Sequence, residues 1–110
     1  MYAVVYRWRV KHGAEDIFRQ GWREVTEDIR RNFGGGGSRL HKAENGEWWA
    51  YARWPSKEMR DRAFAARSGP MSETLKKWND VTDVVGETWL EITDDLLLPE
   101  ADLGPEFHQP

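Results

Sequence analysis

Residues 38–54 read SRLHKAENGEWWAYARW, and how this stretch folds back on itself decides the architecture. Asn45-Gly46 is the strongest short hairpin signal, and it sits between two strand-like runs, SRLHKAE and EWWAYARW. A two-residue turn pairs Glu44 with Glu47, Ala43 with Trp48, Leu40 with Tyr51, His41 with Ala50 and Arg39 with Ala52. Directly opposed residues share a face. One face then carries Arg39, His41, Trp48, Ala50, Ala52 and Trp54, and the other Leu40, Trp49, Tyr51 and Arg53. A three-residue turn would instead flip the first strand and move His41 to the opposite side.

Working outward from the hairpin, residues 2–10 alternate, with Tyr2, Val4, Tyr6, Trp8 and Val10 against Ala3, Val5, Arg7 and Arg9. That is a strand with one strongly apolar face. Phe18, Trp22, Val25, Ile29 and Phe33 follow at spacings that make one stripe of a helix. Glu15 and Asp16 open that helix and Arg30 and Arg31 close it, as its dipole prefers. After the hairpin, Pro55 ends the second strand and Ser56 is a good N-cap for KEMRDRAFAAR. The sequence SGP interrupts that helix, and Pro70 suits the first turn of a further segment carrying Met71, Leu75 and Trp78. Residues 81–93 return to strand alternation.

The order is β-α-β-β-α-β, the ferredoxin-like split unit. The expected fold is α+β, a four-stranded antiparallel sheet with two helices on one face, spanning residues 1–95. Residues 96–110 contain several prolines and no period, which predicts an extended or disordered C-terminal tail.

The glycine run of GGGGS at 34–38 fails as a phosphate loop on order. Phosphate loops run strand, glycines, helix, whereas these glycines follow a helix and precede a strand. An inter-domain linker is also excluded, because the first strand and helix cannot close a core without the hairpin. A helix stop after Phe33 remains, with glycines free to take positive φ.

Composition narrows the function classes. A chain of 110 residues with formal net charge −3 presents no broad basic field for nucleic acid. No apolar run reaches membrane-spanning length, and the N-terminal stretch MYAVVYRWRV carries two arginines, which argues against a signal peptide. Without cysteine there is no disulfide, thiolate metal site or cysteine nucleophile. Three scattered histidines make no metal site. A cytoplasmic location is the default expectation. Seven tryptophans in so small a chain either fill the core or line a cavity or a subunit contact.

Placing Tyr6, Trp8 and Val10 under the helices leaves Arg7 and Arg9 on the open face. Leu90 and Ile92 would then point inward, and Glu87 and Glu91 outward to pair with those arginines. The open face would hold Val5, Arg7, Arg9, Trp49, Tyr51, Arg53, Glu87, Trp89 and Glu91, an apolar and ionic surface that calls for a second copy of the chain. Ala50 and Ala52 are small enough to leave room between sheet and helices.

The segments YRWRVKHGAEDIFRQGWREV and GSRLHKAENGEWWAYARWPSKEMRDRAF resemble the antibiotic biosynthesis monooxygenase-type family of the dimeric α+β barrel superfamily. The resemblance spans roughly residues 2–93 and rests on the V-K-H-G entry to the first helix, Trp54 closing the third strand, and the element order. It implies a homodimer, sheet to sheet, with ligands bound between each sheet and its own helices. It also implies one of two activities. Cofactor-independent oxygenases of the family deprotonate a phenolic substrate and let the carbanion react with oxygen, and Trp54 matches a tryptophan lining their pocket. The haem-degrading branch uses an asparagine, a tryptophan and a histidine where this chain offers Tyr6, Phe64 and Thr74 or a neighbour. The second helical region contains no histidine, so the haem-degrading triad is absent.

The candidate catalytic residues are therefore His41, as a base, and Arg39, as stabiliser of a phenolate. Tyr6, Trp8, Trp22, Trp48 and Trp54 are the candidate substrate-binding residues. Against this stand a surface histidine on an edge strand and tryptophans that are simply core. The leading expectation is a cofactor-independent monooxygenase acting on a small phenolic or polycyclic substrate, with no metal and no cofactor. The alternative is a non-catalytic ligand-binding or stress-related dimer of the same fold.

Overall fold

The computed structural model describes residues 1–67 and 71–108. Its elements are β1 (Tyr2–Val10), α1 (Glu15–Asn32), β2 (Ser38–Lys42), β3 (Trp48–Trp54), α2 (Lys57–Ala66), α3 (Glu73–Val81) and β4 (Thr82–Glu91). The four strands form one antiparallel sheet in the order β2-β3-β1-β4. This is the α+β, ferredoxin-like arrangement, with the second helical region divided in two. Ser56 caps α2 by accepting from Met59 N at 3.1 Å, and Ser72 caps α3 by accepting from Leu75 N at 3.1 Å. Pro70, expected in the first turn of α3, lies outside the described residues. No helix is long and apolar enough to cross a membrane among the described residues.

The hairpin closes one residue differently from the two-residue expectation. Leu40 pairs with Ala50, His41 with Trp49 and Arg39 with Tyr51. Ala43 N donates to Glu47 O at 2.8 Å, so the loop is Glu44, Asn45 and Gly46. Gly46 takes φ +87°, and the Asn45 side chain accepts from Glu47 N at 3.0 Å. A three-residue loop ending in a left-handed glycine is the next favoured hairpin after the two-residue forms. The slip turns β2 over, carrying Arg39 and His41 to the open face and Leu40 to the helix side.

The register of β4 also corrects the expected faces. Glu87 lies opposite Tyr6, Trp89 opposite Val4 and Glu91 opposite Tyr2, all on the helix side, while Leu90 lies opposite Ala3 on the open face. A bulge between Arg7 and Trp8 shifts the pairing near Gly86. The expected match of Glu87 and Glu91 to Arg7 and Arg9 is therefore absent. Glu87 instead pairs with Arg60 of α2, and Glu47 at the end of the hairpin loop takes both strand arginines. Its carboxylate lies 2.9 Å from Arg7 and 3.6 Å from Arg9.

Two clusters make the core under the sheet. Val4, Ala52, Trp54 and Ala63 form one, with Ile29, Phe33, Met59 and Trp89 packed on it. Trp8, Phe18 and Ala50 form the other, with Trp22, Leu40, Trp48 and Trp78 around it. Tyr6 touches both. α3 packs on α1 because Gly21 has no side chain: a Cβ there would come within 2.3 Å of the Trp78 ring. Beyond β4 the chain makes two short 3-10 turns, Glu100–Asp102 and Pro105–His108.

Candidate active site

Ala52, but not Ala50, lines a gap between sheet and helices. A cavity of about 180 Å³ lies between the sheet and α1, walled by Trp8, Trp22, Trp54 and Trp78 together with Tyr6 and Phe64. Val25, Thr26, Ile29 and Arg30 of α1 form one side, and Gly35, Gly36 and Gly37 form part of the rim. The rim runs close to its neighbours. Gly36 N donates to Arg53 O at 2.9 Å, Arg53 N donates to Gly37 O at 3.2 Å, and a Cβ on Gly35 would meet Ile29 at 2.8 Å and Trp54 at 3.3 Å. Glycine at 35 and 36 is thus required by close approach.

Of the expected binding residues, Tyr6, Trp8, Trp22 and Trp54 line this cavity. Trp48 packs on Phe18 (ring centroids 5.4 Å apart) and lines a separate groove on the far side of Trp22. His41 is exposed on the opposite face of the sheet, its Nδ1 3.3 Å from Trp49 O. Arg39 is exposed too, at the groove edge. Neither lines the cavity, for the single reason that the loop holds three residues. No histidine or carboxylate lines the cavity among the described residues, and these include no group of three or more His, Asp or Glu able to hold a metal ion.

Arg60 does not line the cavity but reaches it through Tyr6, which does. Its side chain is buried, with the residue 7% exposed, between the rings of Trp89 and Phe64, whose centroids lie 4.8 and 5.0 Å from its guanidinium carbon. Nη1 donates to Tyr6 Oη at 2.8 Å and to the Glu87 carboxylate, and Nε donates to Asp61 at 2.9 Å. Burial works against the guanidinium charge, but the hydrogen bonds to Glu87, Asp61 and Tyr6 more than offset it and raise its pKa. Burial raises the Tyr6 pKa above the ordinary 10.0, against the opposing pull of Arg60. The phenol is therefore neutral at physiological pH. Since Oη accepts from Arg60, its own hydrogen is free to donate.

Arg60 had no place among the expected site residues. The trace it leaves in sequence is slight: it precedes Ala63 and Phe64 by three and four positions, so all three share one side of α2. An arginine on that side is ordinarily assigned to solvent.

No protein-family model matches the sequence, and no curated protein matches it. Solved structures do match in fold. SnoaB from Streptomyces nogalater, a cofactor-independent oxygenase, aligns over 86% of this chain and 95% of its own with a TM-score of 0.66 and 16% identity. HapK from Hahella chejuensis aligns over 90% of this chain and 100% of its own with a TM-score of 0.67 and 12% identity. A further antibiotic biosynthesis monooxygenase aligns over 86% and 99% with a TM-score of 0.57 and 19% identity. The likeness is one of fold, and it agrees with the resemblance carried by the sequence segments.

Proposed function

We propose that the protein is a cofactor-independent oxygenase of a small phenolic substrate bound in the cavity. The observation that carries this is the cavity itself, four tryptophans around an apolar space with one neutral phenol at its wall, backed by a buried arginine. Apolar cavities of ~150 Å³ accept benzene, so this one suits one or two fused rings. The tryptophans stack on the ring and exclude water. Tyr6 donates to the substrate oxygen as it becomes anionic, and Arg60 behind it stabilises that charge through the shared hydrogen bond. The substrate loses a proton to solvent and becomes a carbanion stabilised by its phenolate. The carbanion reduces dioxygen as a carbon–oxygen bond forms. Cleavage of the oxygen–oxygen bond with loss of the second carbon-bound hydrogen leaves a carbonyl and releases one water. In this reading His41 has no part, since the sheet lies between it and the cavity.

A second copy of the chain on the open face belongs to the same proposal. Val5, Trp49, Tyr51 and Leu90 line that face, and Arg7 stacks 4.8 Å over Trp49. The SnoaB-like fold supports it. Gel filtration reads the outcome, with a monomer eluting if the face is bare.

The oxygenase reading is tested by oxygen uptake with anthrone-like and hydroquinone substrates. Uptake by the native protein that falls about a hundredfold in Tyr6→Phe is expected, the usual loss for one anion-stabilising donor. Tight binding of those compounds without uptake would instead favour a non-catalytic binding protein.

A further inference from the structure

A second hollow of about 490 Å³ adjoins the cavity, lined by Arg19, Trp22, Arg23, Ser38, Arg39, Leu40 and Trp48. Trp22 and Ser38 belong to both spaces, so the two are neighbours. The chemistry changes between them. The cavity is mainly apolar, with Arg30 and Arg53 among its lining, whereas the groove is lined by three arginines and no acidic residue. This is unexpected for a chain of net charge −3.

The placement follows from the fold. Arg19 and Arg23 are four residues apart on α1 and so lie on one side of that helix. Arg39 stands on β2, which is an edge strand, and lines the groove at that free edge. Arg19 makes one weak exposed pair, 3.9 Å from Asp16. Arg23 and Arg39 have no ionic partner among the described residues. A second observation is independent of charge. Ser38, which lines both spaces, has its Oγ buried with no hydrogen-bond partner among the described residues, an arrangement that costs free energy.

The geometry points to an aromatic acid as the ligand, its ring in the tryptophan cavity and its carboxylate in the groove among Arg19, Arg23 and Arg39. This rests on the cavity reading above and narrows its substrate class. Planar guanidinium groups match a carboxylate with paired hydrogen bonds, and a ring too large for the cavity alone continues past Trp22 toward them. The arginines also attract the anion from solution, which makes association fall with salt.

Calorimetric titration of naphthol and of hydroxynaphthoic acid, which differ by one carboxylate, tests this. The acid is expected to bind about tenfold more tightly than the phenol at low salt. In the combined Arg23→Gln and Arg39→Gln variant, whose changes are at exposed positions, that preference disappears and naphthol binding stays as it was. Equal affinities in the native protein, or a preference that survives both substitutions, would overturn the groove assignment and leave the cavity reading standing. Arginine-dependent binding of the acid with no binding of naphthol would support the groove and remove the cavity as a ring site. If neither compound binds, both readings fall.

Discussion

The guanidinium of Arg60 donates to the phenolic oxygen of Tyr6 at 2.8 Å while the same nitrogen donates to Glu87, which ties α2 to the two strands β1 and β4. Removing either partner has a distinct signature. Tyr6→Phe costs about 1 kcal/mol of stability, the worth of one hydrogen bond, yet abolishes most activity. Arg60→Met costs more, about 2–3 kcal/mol, because it leaves Glu87 unpaired; that is below the value for a fully buried pair, since the Glu87 side chain is 37% exposed. Urea denaturation beside oxygen-uptake assays separates the two. Equal losses of stability in both variants would show that Glu87 gains nothing from the arginine.

In the proposed reaction the raised pKa of Tyr6 would set the alkaline limit. A phenol held above its ordinary value of 10.0 remains a donor across neutral and mildly alkaline pH. The rate attributable to it declines only above about pH 10. Stability follows the same sign: the native state keeps this proton after the unfolded chain has lost it, so stability falls as pH rises beyond about 10. An ultraviolet titration of the native protein against Tyr6→Phe detects the missing high-pH tyrosinate.

Acid acts at a different place. Hydrogen bonds from Arg7 hold the Glu47 carboxyl below its ordinary value of 4.5 against the opposing effect of burial, with Trp49 Nε1 and Asn45 adding to the lowering. A depressed carboxylate stabilises the fold above its unfolded pKa and loses that contribution as pH falls through the native one. Thermal melts of Glu47→Gln are expected to show a lower Tm at neutral pH. Below about pH 4.5 they should fall less steeply with acid than those of the native protein. Parallel curves would dismiss the role of this carboxylate.

Gly21 offers a prediction opposite in sign to the usual rule. A glycine replaced by alanine inside a helix ordinarily gains about 0.5–1 kcal/mol. Here the added Cβ meets three Trp78 side-chain atoms at 2.3, 2.5 and 2.7 Å, so Gly21→Ala is expected to lose about 1–3 kcal/mol by displacing α3. Chemical denaturation measures it, and a stabilised variant would mean that α3 docks loosely.

The hairpin register carries its own test. Gly46 adopts φ +87°, a conformation that costs a residue with a Cβ about 1–2 kcal/mol. Gly46→Val should therefore lose stability, and Gly46→Asn should lose less. His41→Ala should leave oxygen uptake within about twofold of native, because the three-residue loop puts that ring across the sheet from the cavity. A large loss would restore the two-residue register.

These residues also show what could be read before the fold was known. Alternation in β1, the Phe18–Ile29 stripe and the Ser56 cap were legible because each is a local pattern, and the sheet order follows from them. The placement of His41 and Arg39 was not legible. Asn45-Gly46 fits a two-residue or a three-residue loop, and one residue of difference exchanges every face of β2. The helix-side placement of Glu87 and Trp89 goes with the pairing of Glu87 to Arg60, 27 positions away and invisible to any periodicity, whereas the sequence pattern favours an exposed pairing with Arg7. The docking of Trp78 into Gly21 is equally non-local.

The sheet order has a consequence in time. β1 lies in the centre, between β3 and β4, so the first strand to be synthesised receives its last neighbour only after Glu91 has emerged. Until then its inner edge is bare, and the carboxylate that Arg60 requires is missing. Contacts of such long sequence separation slow folding, because the chain entropy is lost before they form. The nascent chain therefore passes through a stage in which Val4, Tyr6 and Trp8 border an unpaired strand, and it is during that interval that the protein is most exposed to misassociation.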